Sequence, residues 1–130
     1  MRFYYDLHIH SDLSPCGLSD MTPCNIVNMS LIKGLNIISI TDHNSAGNLP
    51  AAMEISRKAG IKVIPGLEVT TKEEVHVLCY FNKLSNAIEF GSIIYDSLPF
   101  IKNNPEIFGE QNIYNSKDEI TGNLEKLLIN

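Results

Sequence analysis

The chain has 130 residues, 44% of them hydrophobic and 19% charged, which is typical of one soluble globular domain. A formal net charge of -5 argues against a broad nucleic-acid-binding surface, because such a surface needs clustered Lys and Arg. Three cysteines without close paired spacing and the lack of a signal-peptide pattern predict a reduced, cytoplasmic protein, and no apolar run is long enough to predict a membrane helix.

The first elements predicted are a strand and a helix. Arg2 to His10 is rich in aromatic and branched residues and then meets the polar residues that follow Ser11, which predicts a strand ending in a loop. Thr22 followed by Pro23 predicts a helix start, and Gly34 predicts its end.

The same alternation continues along the chain. Leu35 to Ile40 predicts a second strand, Asn48 to Ala59 a second helix, and Ile61 to Leu67 a third strand that delivers Glu68. Val75 to Phe81, which contains His76, predicts a fourth strand. Strands that alternate with helices over about 25 to 30 residues predict an α/β fold with a parallel sheet.

The remaining segment predicts two further helices. Leu84 to Ile101 has helical character, and Ser116 to Glu119 matches a capping box that would open a final helix. No Gly/Ser or Pro linker divides the chain, so we expect a single domain over residues 1–130.

The four histidines suggest a metal site. His8, His10, His43 and His76 all lie at or near the carboxyl ends of predicted strands, where functional groups gather in parallel β/α folds. His8 and His10 also leave one strand on the same face. Imidazoles together with a carboxylate suit zinc, manganese or iron. The alternative is that His43 is a turn residue hydrogen-bonded to Asp42 and that Glu68 is an exposed carboxylate.

Four segments taken together resemble the metal-dependent phosphoesterases of the PHP (polymerase and histidinol phosphatase) family. The segments follow the family's motifs in order and at similar spacing: Asp6-Leu7-His8-Ile9-His10-Ser11, Thr41-Asp42-His43-Asn44, Pro65-Gly66-Leu67-Glu68 and Val75-His76-Val77-Leu78. The resemblance implies a distorted (β/α)7 barrel, similar to a TIM barrel, that holds up to three divalent metals.

The resemblance also implies roles for individual residues. His8, His10 and a bridging Glu68 would hold the first metal, and Glu68 and His76 the second. His43 would bind the third metal, with Asp42 orienting an imidazole, so Asp42 and His43 are the catalytic candidates. The implied reaction is hydrolysis of a phosphate ester by a metal-activated water, on a small phosphorylated substrate or, among nucleic acids, on a phosphoester end.

The chain also departs from the family pattern. Family members place an acidic residue or histidine five or six positions after the second histidine, where this chain has Pro15 and Cys16; Asp12 or the Cys16 thiolate would be the substitutes. The family takes further ligands from later strands, and no histidine follows His76, so each metal site would be incomplete.

These departures leave alternatives open. The chain would be a truncated PHP domain without its later barrel strands, which makes a weak or inactive metal-binding half-domain one alternative to a phosphoesterase. An amidohydrolase-type enzyme is another, because those barrels share the His-x-His opening. A half-barrel would expose a strand edge and an apolar helical face at Leu124, Leu127, Leu128 and Ile129, so we also expect a homodimer.

Overall fold

A parallel three-stranded sheet with two crossover helices forms the first part of the fold. The strand order is β1-β2-β3, and both strand pairs are parallel, so the predicted mixed α/β architecture with parallel β/α units is confirmed. A computed structural model describes residues 1–129, and the elements of this part are β1 (Tyr5–Ile9), α1 (Pro23–Ile32), β2 (Ile37–Ile40), α2 (Leu49–Ala59) and β3 (Lys62–Val63).

The two helices begin and end at the residues that the sequence marks. The Thr22 hydroxyl accepts a hydrogen bond from the Asn25 backbone at the start of α1, and α2 ends at Gly60 with a left-handed φ of 75°. The main hydrophobic core lies where these helices cover the sheet. Its fully buried members include Val27, Ile38 and Ala52.

The predicted third strand is two strands in the structure. Proline has no N–H to donate and is excluded from strand interiors, and Pro65 separates β3 from β4 (Gly66–Thr70). Glu68 therefore lies inside β4 and not just beyond a strand. The prediction that the next strand, β5 (His76–Tyr80), would be parallel is also wrong: β5 is antiparallel to β4. Residues 71–75 are too short for a parallel crossover.

The carboxyl-terminal part differs most from the prediction. Helix α3 (Leu84–Ser97) stops before the extended residue Leu98, as expected before Pro99. A short helix, α4 (Pro105–Phe108), precedes an antiparallel hairpin of β6 (Asn112–Tyr114) and β7 (Ile120–Asn123).

The predicted final helix is wrong. The Asn115 side chain accepts hydrogen bonds from the backbone N–H groups of Lys117 and Glu119, and Asp118 has a left-handed φ of 66°. An asparagine that bonds locally to the backbone favours a turn over a helix, so the segment read as a capping box is the turn between β6 and β7.

The apolar residues expected on that helix are partly buried within the chain. Leu127 and Leu128 are 8% and 0% exposed, so this part of the argument for a homodimer no longer holds. The strand-edge part remains, because β1 pairs only with β2 among residues 1–129. The homodimer therefore stays a prediction. Among the helices of the same residues, none has both the length and the hydrophobicity that a membrane span requires.

Candidate metal centre

The carboxylate of Glu68 lies at the centre of the four histidines. Its Oε2 is 3.1 Å from the Nε2 of His8 and 2.7 Å from the Nε2 of His10. Its Oε1 is 3.0 Å from the Nδ1 of His76, and the Nδ1 of His43 is 3.7 Å from Oε2. All five residues predicted as metal ligands are therefore brought together.

The cluster of Glu68 and the four histidines has a buried floor and a solvent-exposed rim. The side chains of Glu68 and His43 are 4% and 3% exposed, whereas those of His8 and His76 are 50% and 45% exposed. Burial alone would raise the pKa of Glu68, but the hydrogen bond with His8 and the charges of His43 and His10 lower it overall. The buried carboxylate is thus kept ionised while solvent reaches the outer imidazoles.

Strand pairing explains how Glu68 meets the histidines. His8 lies in β1 and His10 directly follows it, as predicted. The segment after β2 pairs in parallel with β4 through a bridge between His43 and Glu68. His76, however, is the first residue of β5 and not near its carboxyl end, so that part of the prediction is wrong. In the antiparallel register it pairs with Thr70, which makes it a diagonal neighbour of Glu68 on the same face.

Asp42 holds the loop that follows β1. It accepts hydrogen bonds from the Ser11 backbone and hydroxyl at 2.7 and 2.6 Å, and from the Ser14 hydroxyl at 2.7 Å. The Ser14 oxygen in turn accepts from the His43 backbone N–H at 3.0 Å. Burial raises the pKa of Asp42, and these hydrogen bonds act in the opposite direction. The sequence analysis expected Asp42 to orient an imidazole directly. In the structure its hydrogen bonds come from Ser11 and Ser14, and Ser14 in turn positions the backbone of His43.

Two buried asparagines brace the centre and were missed by the sequence analysis. The Asn44 side chain accepts from the Thr70 backbone and donates to the Leu128 carbonyl. The Asn48 side chain accepts from the Tyr114 backbone at 2.9 Å and donates to Ser11. Asn44 directly follows His43 and has a left-handed φ of 51°, which asparagine tolerates well.

A comparison with known protein families gives the assignment. The model of the PHP domain matches residues 6–127. The chain belongs to the PHP family. The resemblance drawn from the four motifs is therefore confirmed, and the converging imidazoles and Glu68 lie within the matched residues.

Individual relatives of this PHP domain are hydrolases. The chain is 31% identical over 77 residues to a 5'-3' exoribonuclease of Haemophilus influenzae, a match that covers 57% of the chain and 27% of that protein. It is 28% identical over 78 residues to the phosphoribosyl 1,2-cyclic phosphate 1,2-diphosphodiesterase of Eggerthella lenta, covering 56% and 29%. The matched segments thus span less than a third of the length of these relatives.

A solved structure with a similar fold comes from Bifidobacterium adolescentis. That protein, a candidate metal-dependent phosphoesterase, superposes with a TM-score of 0.60 at 25% identity. The superposition covers 75% of this chain and 34% of the other. It supports the PHP assignment.

The donor atoms of this PHP domain fit divalent cations. Three groups of three ligand atoms have all members within 4.8 Å of one another. Ligands of a tetrahedral cation lie about 3.4 Å apart, so small side-chain shifts would let each group surround one. Burial, followed by the charge of His10, lowers the pKa of His43 to about 4, which leaves its ring neutral at pH 7. The groups are His8, His10 and Glu68; His43, Glu68 and His76; and His10, Cys16 and His43.

The two residues considered as substitute ligands have different surroundings. Asp12 Oδ2 accepts hydrogen bonds from the Asn112 amide and the Tyr114 hydroxyl, and Asp12 belongs to none of the three ligand groups. Cys16 belongs to one of them, and its Sγ is 2.8 Å from the Nδ1 of His10. Asp12 therefore stabilises the loop against the β6–β7 hairpin, and Cys16 faces the metal centre.

Proposed function

We propose that this PHP domain holds divalent metals at Glu68 and the four histidines and takes part in hydrolysing a phosphate ester. The observation that carries the proposal is the contact of one buried carboxylate with three imidazoles at 2.7 to 3.1 Å. When bound, divalent cations stabilise the charge on a phosphate and lower the pKa of water towards neutrality. Zinc, manganese and iron suit this donor set best.

The buried and the exposed residues of the metal centre would have different roles. Glu68 and His43 form the enclosed floor and fix the donor atoms in place, because their side chains are almost inaccessible to solvent. His8 and His76 lie at the solvent-exposed rim, where a phosphate ester and water can enter. Asp42 fixes the loop after β1 beside this floor through hydrogen bonds from Ser11 and Ser14.

The family implies the larger fold, in which the parallel strands would form part of a distorted (β/α)7 barrel. The three free cysteines favour the reducing cytoplasm as the compartment. The exoribonuclease and the cyclic-phosphate diesterase both act on phosphoesters of ribose. A small phosphorylated compound or the end of a nucleic acid is therefore the substrate class that we propose.

Metal analysis combined with a hydrolysis screen tests this proposal. Purified wild type, His10→Ala and Glu68→Ala would be measured for bound zinc, manganese and iron, with Glu89→Ala on the exposed side of α3 as the matched control. We expect wild type and the control to retain metal and both centre variants to lose most of it. Equal metal content in all four proteins would refute the site.

The screen identifies the reaction. Phosphomonoesters, phosphodiesters, short 5'-phosphorylated oligoribonucleotides and cyclic amides would be offered to the metal-loaded chain. We expect phosphate-ester cleavage that depends on added metal and is lost in Glu68→Ala. Amide cleavage without phosphate release would favour the amidohydrolase-type alternative, and no cleavage by a metal-loaded chain would favour the inactive half-domain.

A further inference from the structure

A groove leads away from the metal centre along β1. Next to the centre lies a cavity of about 410 Å³ whose walls include His8 and His10. A second cavity, of about 560 Å³, lies between β1 and α1. Both cavities are lined by Asp6, Ile9 and Met21, so together they form one groove that begins at the two imidazoles. Each cavity has the volume of a small-molecule site.

The floor of this groove is apolar. Ile9, Met21 and Leu35 line it and are only partly buried against the hydrophobic core. Met29 of α1 also lines the groove and is 51% exposed. Methionine side chains adapt to ligands of different shapes, and covering apolar surface of this kind stabilises a bound ligand. The groove therefore suits an apolar group that extends from the metal centre.

The charged residues of the groove disfavour a chain of phosphates. Two carboxylates and one amine line it, those of Asp6, Asp20 and Lys33. The Oδ1 of Asp6 accepts a hydrogen bond from the His8 backbone N–H at 3.1 Å, which fixes this carboxylate close to the metal centre. An oligonucleotide would bring one negative charge per nucleotide past these carboxylates, whereas an uncharged alcohol would bring none.

The backbone of β1 favours a small ligand over an added strand in this groove. A strand of a second copy would pair with the free backbone groups of β1. The Leu7 carbonyl of β1, however, already accepts a hydrogen bond from the Tyr80 hydroxyl at 2.7 Å. A strand that pairs there would have to displace this bond, whereas a ligand that covers the apolar floor leaves it intact.

We propose that this groove binds the alcohol part of the phosphate ester, and that this alcohol is uncharged and apolar. The phosphate lies at His8 and His10, and the alcohol covers Met21 and Met29. The inference rests on the metal site of the proposed function. It narrows the two proposed substrate classes to the small phosphorylated compound, because the end of a nucleic acid would place further phosphates beside Asp6 and Asp20.

A series of alkyl phosphates tests the groove without relying on turnover. The zinc-loaded 130-residue chain would be titrated by calorimetry with methyl, butyl and hexyl phosphate and with a short 5'-phosphorylated oligoribonucleotide. We expect the dissociation constant to fall by about two- to fourfold for each added methylene. The oligoribonucleotide should bind no more tightly than methyl phosphate, because its additional charges meet the carboxylates of the groove.

Two glutamine variants on α1 locate the alcohol. Met29 lines the groove, whereas Leu31 lines a separate cavity together with Ile55 of α2. We expect Met29→Gln to weaken the binding of hexyl phosphate by about threefold or more and to leave methyl phosphate unchanged. Leu31→Gln, the matched control, should bind both ligands like wild type. Since methyl phosphate reports on the metal centre alone, a loss confined to hexyl phosphate places the alkyl chain in the groove.

The results that would overturn the proposal are distinguishable from one another. Equal dissociation constants for methyl, butyl and hexyl phosphate would refute the groove and leave the metal centre standing. If sedimentation also shows a dimer, a second copy covers the groove. Tighter binding of the oligoribonucleotide than of hexyl phosphate would refute the apolar substrate class. No binding of methyl phosphate by the zinc-loaded chain would refute the proposed function as well. The wild-type series decides these questions even if Met29→Gln fails to fold.

Discussion

Replacing Glu68 by glutamine removes the charge at the middle of the metal centre and leaves the side-chain volume almost unchanged. Its two carboxylate oxygens contact His8, His10 and His76 at 2.7 to 3.1 Å. Glu68 also belongs to two of the three groups of ligand atoms. The Glu68→Gln variant therefore isolates the contribution of the carboxylate to metal binding.

The expected loss is large. Residues that only support a metal ligand typically change metal affinity by about 10- to 100-fold. A carboxylate that itself reaches the cation should exceed that range. We expect the dissociation constant for Zn²⁺ to rise at least about 100-fold, equivalent to roughly 2.7 kcal/mol.

Competition with a fluorescent zinc chelator would measure this change. Wild type, Glu68→Gln and the exposed control Glu89→Gln would be compared after circular dichroism has shown that all three are folded. The control should bind zinc like wild type. A dissociation constant for Glu68→Gln within about threefold of wild type would contradict the reasoning, because the metal would then not depend on the carboxylate.

Three further predictions concern stability. Burial and the charge of His10 depress the pKa of His43 to about 4 in the folded protein, so the unfolded chain binds more protons between pH 6.5 and 4. Acidifying the chelator-treated protein over this range should therefore lower its denaturant midpoint. The same dependence of the midpoint on pH in wild type and in His43→Gln would contradict this. Leu128→Ala at a fully buried position should cost about 2–5 kcal/mol in chemical denaturation, and Leu128→Met below about 1.5 kcal/mol; equal losses would argue against its burial. Tyr114→Phe, which removes a hydroxyl 2.6 Å from Asp12, should cost about 1–3 kcal/mol, and an unchanged unfolding free energy would show that this bond contributes nothing.

The convergence of the candidate ligand residues was predictable because strand ends and short motifs carry local information. His8 and His10 are separated by one residue at the end of a strand, and His43 follows a compact apolar run. Their convergence follows from the parallel order of β1 and β2. His76 was predicted for a reason that the structure does not support, since an antiparallel β5 brings its first residue to Glu68.

The bracing contacts were not predictable, because they join distant parts of the chain. Asn48 meets Tyr114 across 66 positions, and Asn44 meets Leu128 across 84. Neither pairing has a local signature. The false final helix shows the converse problem: the pattern from Ser116 to Glu119 matches a capping box, but the Asn115 side chain directs the same residues into a hairpin turn.

Anomalous diffraction from crystals soaked in Mn²⁺ or Zn²⁺ would test the central claim most directly. We predict an anomalous peak in contact with a Glu68 carboxylate oxygen and with ring nitrogens of His8 and His10 or of His43 and His76. Crystals that contain the metal but show no peak beside Glu68, with these side chains directed apart, would contradict the metal centre described above.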